Sequence, residues 1–404
     1  MKRLLLVAAT TGYQVREFSE AARALNVDLV LATDRCHILE NPWGDAAAPV
    51  RFEHPEPGIE ALDARGPFDG ILAVGDRPAC VAAQIAERLQ LRFHPAEAAR
   101  AAANKLLSRE RFRAAGMRVP DFQRLTPAGV ANARVEFPCV LKPLESSASR
   151  GVIRANDRDE FRDAAARIVR MQASGQEKDL LVENYIPGRE FALEGVVTAG
   201  KLHTLALFDK PDPLEGPYFE ETVYLTPSRE SAETQQDISE TAQAAVFALG
   251  LTDGPVHAEM RVNPQGVWIL EAAARPIGGL CARVLRFGDP YRTLEHVLLR
   301  HALGEDISKA RLAEGSHGVM MIPIPEPGIY RGVDGLEHAR DIEGIDDIVI
   351  TAKEGQEMLP LPEGSAYLGF AFCRAQSADL VLHRLREVHR RLKFVFSATL
   401  PVVK

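Results

Sequence analysis

The first hundred residues alternate short, unbroken apolar runs with helix-period segments, and this rhythm constrains the fold more than any other feature. "RLLLVAA" (3–9), "VDLVLAT" (27–33) and "FDGILAVG" (68–75) have the length of strands and show no polar face. That is the signature of strands covered on both sides. "YQVREFSEAARALN" (13–26) and "PACVAAQIAERLQ" (78–90) carry helical periodicity between and after them. Strand–helix–strand units of this kind predict an open parallel sheet. The first strand runs into "ATTGYQ" (9–14) and not into G-x-G-x-x-G, so a nicotinamide cofactor is not expected here. Its short apolar run followed by polar residues reads as a strand and not as a signal peptide.

Farther along, the pattern changes. "HPAEAARAAANKLLSRERFRAAG" (94–116) reads as one strong helix. "FPCVLKPLESSASRGVIRAND" (137–157) reads as strand, loop and strand, and "RDEFRDAAARIVRMQA" (158–173) as a helix before the strand "DLLVENYI" (179–186). Two hairpins follow, turning at Ala199-Gly200 and at "NPQG" (263–266), with a helix over 231–250 between them. The Pro-rich, acidic stretch "DKPDPLEGPYFEETVYLTPS" (209–228) reads as a functional loop. Its first part, 209–221, is expected to cover the acceptor side of a cleft. The last hundred residues mix strands with the helix "DLVLHRLREVHRRLK" (379–393).

At 404 residues the chain has room for several cores. A net charge of −8 with no long basic run argues against nucleic acid as a partner. No segment reaches the length of a membrane span. The five cysteines, Cys36, Cys80, Cys139, Cys281 and Cys373, are odd in number and scattered, with no CxxC pair. This excludes a disulfide framework and a zinc knuckle and predicts a reducing cytoplasm.

The chemistry concentrates in four places. Glu259 and Glu271 flank the "NPQG" hairpin; if the turn is tight they face each other, and two facing carboxylates call for a cation such as Mg²⁺. The alternative is a pair of solvated strand-face glutamates. "SSASRG" (146–151) follows a strand closed by Lys142, and its backbone N–H groups with the hydroxyls of Ser146, Ser147 and Ser149 can cover a polyphosphate. It is not a Walker A loop. Lys142, and Lys105 from the preceding helix, would add point charges for phosphate. "VENYIPGREF" (182–191) offers Glu183, Asn184, Tyr185 and Ile186 as an adenine slot, with Glu190 beyond it, or else is an ordinary strand and turn.

The order of these pieces resembles the ATP-grasp superfamily over nearly the whole chain. Asn104-Lys105 comes first, then "VLKP" with its small-residue loop, then "VENYIPGREF". The paired glutamates follow, and then "EAAAR" (271–275). Within it the chain is most similar to carboxylate–amine ligases of the L-amino-acid ligase (dipeptide synthetase) type, which carry E-[AS]-A-A-R where many relatives have E-x-N-x-R. Glu194 after "PGREFAL" also suits that type.

The resemblance implies an N-terminal parallel-sheet α/β pre-grasp domain (1–100). A two-lobed ATP-grasp domain follows over 101–305, its smaller lobe at about 115–185, and then a C-terminal α+β region (306–404). It implies that Lys105 and Lys142 hold ATP phosphates, that Glu183 and Ile186 bound adenine and that Glu190 binds ribose. Glu259 and Glu271 would hold Mg²⁺, with Mn²⁺ as a substitute, and Arg275 would face the acyl-phosphate. Ala273 replaces the asparagine that helps hold a second Mg²⁺ in many relatives, which puts that second ion in doubt. Partners would be a small-molecule carboxylate and an amine; the oligomeric state is open, a homodimer being the common arrangement for symmetric soluble enzymes. The alternatives are an ATP-grasp carboxylase working through carboxyphosphate and a non-catalytic nucleotide-binding protein.

Overall fold

A computed structural model describes residues 1–9, 14–34, 47–172 and 178–398. Cys36, most of the loop after the first strand, and the last residue of the helix expected over 158–173 lie outside them.

The N-terminal rhythm folds as expected. Strands β1 (Lys2–Ala8), β2 (Val27–Thr33), β3 (Ala47–Pro49) and β4 (Gly70–Val74) form a parallel sheet in the order β3-β2-β1-β4. Helices α1 (Val15–Ala24), α2 (Glu56–Asp63) and α3 (Asp76–Leu89) connect and follow them. Leu4 through Ala8 are fully buried, as a strand covered on both faces must be. The short β3 carries no sequence signal of its own.

The helix expected over 94–116 is two helices, α4 (Ala96–Ala103) and α5 (Lys105–Ala114). Asn104 is extended (φ −114°, ψ 114°), and its side chain accepts hydrogen bonds from the N–H groups of Leu106 and Leu107. A capping asparagine thus ends one helix and starts the next within an alanine-rich run.

The smaller lobe is an antiparallel sheet ordered β5-β8-β6-β7, from β5 (Phe122–Leu125), β6 (Cys139–Pro143), β7 (Ile153–Ala155) and β8 (Leu180–Asn184). Helix α6 (Arg158–Met171), capped by Asp157, covers it.

The larger lobe begins with β9 (Arg189–Thr198), β10 (Lys201–Asp209) and β11 (Val223–Thr226). Strand β11 lies inside the stretch expected to be all loop; Val223–Thr226 is wholly buried and pairs on both sides. Next come α7 (Ala232–Leu249), β12 (Gly254–Asn263), β13 (Gly266–Ala273) and α8 (Leu294–Ala302). The remaining elements are β14 (Ser316–Ile322), β15 (Gly328–Asp334), α9 (Leu336–Arg340), β16 (Ile345–Ile350), β17 (Glu357–Met358), β18 (Gly369–Ala375), α10 (Ala378–Arg391) and β19 (Lys393–Ser397). The large sheet is ordered β13-β12-β9-β10-β11-β14-β18-β16, so three strands beyond residue 305 extend the sheet that carries the paired glutamates. A three-stranded sheet, β17-β15-β19, stands apart.

Two apolar cores join the N-terminal sheet to the larger lobe. One packs α3 and α4 against α7, β12 and β13; the other packs α1 against α8 and the strands around β10. The cleft is therefore built against the N-terminal domain.

Candidate active site

The two lobes, the N-terminal domain and the C-terminal strands enclose a cavity of about 430 Å³. The residues expected to bind nucleotide, metal and acyl-phosphate all line it, from Lys105 through Arg275, while Glu194 lies outside its lining.

The helix break at Asn104 sets the position of Lys105. As the first residue of α5, Lys105 donates its backbone N–H to the Leu144 carbonyl (2.9 Å). Its Nζ donates to the Ser146 carbonyl (2.5 Å) and stands 3.8 Å from Glu271. One ammonium thus ties the start of the small-residue loop to the end of β13. In that loop Ala148 and Ser149 take left-handed backbone (φ 52° and 54°), and the Ser146 hydroxyl donates to the Arg150 carbonyl (2.8 Å).

Lys142 and Glu183 lie diagonally across β6 and β8, two residues apart in register, and form an ion pair. Arg109 closes it from α5, with Nε 2.6 Å and Nη2 3.3 Å from the two Glu183 oxygens. Burial works against a carboxylate there, but Arg109 and Lys142 outweigh it and hold Glu183 at about 2. Burial also lowers Lys142 from its ordinary value, against the pull of Glu183. Glu183 is 2% exposed, with its carboxylate engaged by these two cations, and it lines the cavity. Arg109 was missed, although a signal existed: it shares the buried stripe of α5 with Leu106 and Phe112, where a charge needs a partner.

A second network surrounds Lys210, also missed from the sequence. Its Nζ donates to Glu190 (2.8 Å), Glu259 (3.0 Å) and Glu221. Carboxylate oxygens of these three glutamates lie within 4.8 Å of one another, and the ammonium is the cation that serves all three. Arg261 adds a bond to the other Glu190 oxygen (2.8 Å) and one to the Ile186 carbonyl (2.6 Å). Both oxygens of Glu190 are therefore held by protein cations at the edge of the cavity. Burial pushes Glu221 up to about 7 despite Lys210.

The segment 209–221 that supplies Lys210 and Glu221 is a wall of the cavity and not a free cover. Leu214 and Phe219 are buried with Val140, and Arg154 N–H donates to the Pro217 carbonyl (2.9 Å).

Glu259 and Glu271 are direct partners in the β12–β13 register, but the tight turn alone would pair Glu259 with Leu270; a bulge between Glu259 and Met260 shifts the register by one residue and brings Glu271 opposite Glu259. Lys210 and His257 approach only the Oε1 atom of Glu259, at 3.0 and 3.5 Å. Among the described residues, Oε2 of Glu259 accepts no hydrogen bond, and the nearest cation to Glu271 is Lys105. Two opposed carboxylates with open oxygens fit a hard divalent cation. Burial disfavours a charged His257, but Glu194 (3.0 Å) and Glu259 outweigh it and hold it at about 9. Glu194 also accepts the Ile277 N–H (3.0 Å), fixing the chain just past Arg275.

Arg275 is clamped by Asp76, with Nε 2.8 Å from Oδ1 and Nη2 3.4 Å from Oδ2. Burial alone would weaken the guanidinium, but Asp76 and Glu271 raise its value. Of the following glycines, Gly279 (φ 61°) is needed for packing: a Cβ there would meet the Phe370 ring at 3.0 Å. Gly278 faces open space.

Residues 135–284 match the model of the ATP-grasp domain, and residues 320–397 that of the L-amino acid ligase C-terminal domain 2. The crystal structure of an L-amino acid ligase from Bacillus licheniformis has the same fold, with a TM-score of 0.83 at 24% identity over 98% of this chain and 99% of that one. Uncharacterized protein y4rH of Sinorhizobium fredii is 23% identical over 96% of this chain and 82% of its own length. Alanine–anticapsin ligase of Bacillus subtilis is 28% identical over 48% of this chain and 46% of its own length. The chain thus carries an ATP-grasp domain and shares the fold of the solved ligase over nearly its whole length. It also carries the L-amino acid ligase C-terminal domain 2.

Proposed function

We propose that the protein is an ATP-dependent ligase that joins a carboxylate, an amino acid, to an amine through an acyl-phosphate. The observation that carries this reading is the convergence of Lys105, Lys142, Glu259, Glu271 and Arg275 on one cavity. Lys105 and Lys142 neutralise the ATP phosphates, and the small-residue loop covers them with backbone N–H groups. The backbone of Asn184, Tyr185 and Ile186 borders the adenine. Glu259 and Glu271 would hold Mg²⁺, which supplies charge neutralisation at the transferring phosphate.

A substrate carboxylate oxygen attacks the γ-phosphorus and ADP leaves. The amine nitrogen then attacks the acyl carbon, phosphate leaves, and the nitrogen loses a proton. Arg275 stabilises the negative charge that builds at the acyl oxygens. Positioning and charge neutralisation supply most of the rate.

The division into 1–100, 101–305 and 306–404 belongs to the same proposal. So does a cytoplasmic setting, supported by four unbridged cysteines. Among the described residues no helix is long and apolar enough to cross a membrane.

The test is a screen of amino-acid pairs for ADP release, with hydroxylamine added to trap the acyl-phosphate as a hydroxamate. ADP and a hydroxamate are expected. AMP and pyrophosphate as products, or nucleotide binding with no pair that releases ADP, would overturn the reading.

A further inference from the structure

We propose that Asp76, on the N-terminal domain, is the positioning residue that aims Arg275 at the reacting carbonyl; this rests on the ligase reading above. Asp76 is the first residue of α3 and follows Gly75, whose φ of 100° turns the chain sharply from β4 into the helix. The turn delivers a carboxylate to the cleft from a part of the chain 199 residues away from Arg275.

A guanidinium has five N–H donors in a fixed plane. Asp76 takes the Nε hydrogen at 2.8 Å and one Nη2 hydrogen at 3.4 Å, while one Nη1 hydrogen goes to the Pro276 carbonyl at 3.0 Å. One hydrogen remains on each terminal nitrogen. Arg275 lines the cavity with a side chain only 11% exposed, so the two remaining donors form a two-toothed edge with little freedom. Such an edge matches the two oxygens of a carboxylate or of an acyl-phosphate. Without the carboxylate behind it, the planar group can rotate about its stem, and preorganisation is lost. The N-terminal domain therefore takes part in the chemistry as well as in the packing of the larger lobe.

The test is a double-mutant cycle on the full chain with Asp76→Asn and Arg275→Lys, reading kcat, the KM values for ATP and carboxylate, and the melting temperature. Asp76→Asn alone is expected to lower kcat on the order of 10²-fold while the KM for ATP changes by less than about threefold. In the Arg275→Lys background the same change is expected to cost less than about threefold, because the fork it aims is gone. Asp76→Ser serves as a second variant should the asparagine fail to fold. Equal losses in both backgrounds would overturn the proposal, as would a loss confined to the KM of the substrate. A wild-type protein that releases no ADP with any pair refutes the ligase reading itself, a result distinct from an absent coupling.

Discussion

The ammonium of Lys210 lies 3.0 Å from the carboxylate of Glu259 and also bonds Glu190 and Glu221. Its side chain is 2% exposed, so one buried cation serves three acids beside the cleft, Glu190 buried and Glu221 and Glu259 half-buried. Lys210→Met keeps the stem and removes the charge. Taking one partner from a buried ion network costs on the order of 3–5 kcal/mol. Urea unfolding should show a loss of that size, larger at pH 8 than at pH 5, where the orphaned carboxylates take up protons. A variant as stable as wild type at both pH values would remove Lys210 from this role.

Glu183 makes a prediction with a defined pH window. Its ordinary value is 4.5 and the fold holds it at about 2. A depressed carboxylate stabilises the fold above its unfolded value, and that contribution is lost as pH falls through the folded value. The loss should therefore run from pH 4.5 down to about 2. A shift of this size corresponds to roughly 3 kcal/mol. Glu183→Gln should unfold more easily than wild type at pH 7, and the two should converge near pH 2. Parallel stability curves across that range would count against the network.

The paired glutamates separate by their surroundings. Glu271→Gln should abolish turnover with little change in melting temperature, since Glu271 is a quarter exposed and its nearest cation is 3.8 Å away. Glu259→Gln should abolish turnover and also lower the melting temperature, because Lys210 and His257 both lean on it. Wild-type activity of both variants at limiting Mg²⁺ would reject the metal assignment.

Lys142→Ala should weaken ATP more than adenosine, because only the phosphates meet the ammonium. It should also cost stability by leaving Glu183 with Arg109 alone. Calorimetry with both nucleotides reads the first effect, and an equal loss for the two would exclude a phosphate role.

Arg275→Lys should lower kcat on the order of 10²–10³-fold with little effect on ATP binding. Lysine keeps the charge but cannot present two donors in one plane. Stopped-flow or steady-state rates near wild type would show that the fork is not needed.

The sequence by itself determined the order of the elements and the hairpin on which the paired glutamates sit. The "NPQG" turn starts a hairpin whose own register would set Glu259 opposite Leu270, and it took the bulge between Glu259 and Met260 to bring Glu271 opposite Glu259. The unbroken apolar runs of β1, β2 and β4 had to be covered on both faces, and the parallel sheet followed. Only the tertiary structure decided which charges meet: Arg109 with Glu183 across 74 residues, Lys210 with Glu259 across 49, and Asp76 with Arg275 across 199. It also decided that Glu183 and Glu190 spend their carboxylates on protein cations. Hydrophobic period and turn chemistry act over a few residues and are written along the chain. The partner of a buried charge depends on how separate elements pack, and before packing a lysine in a Pro-rich loop reads the same as a solvated one.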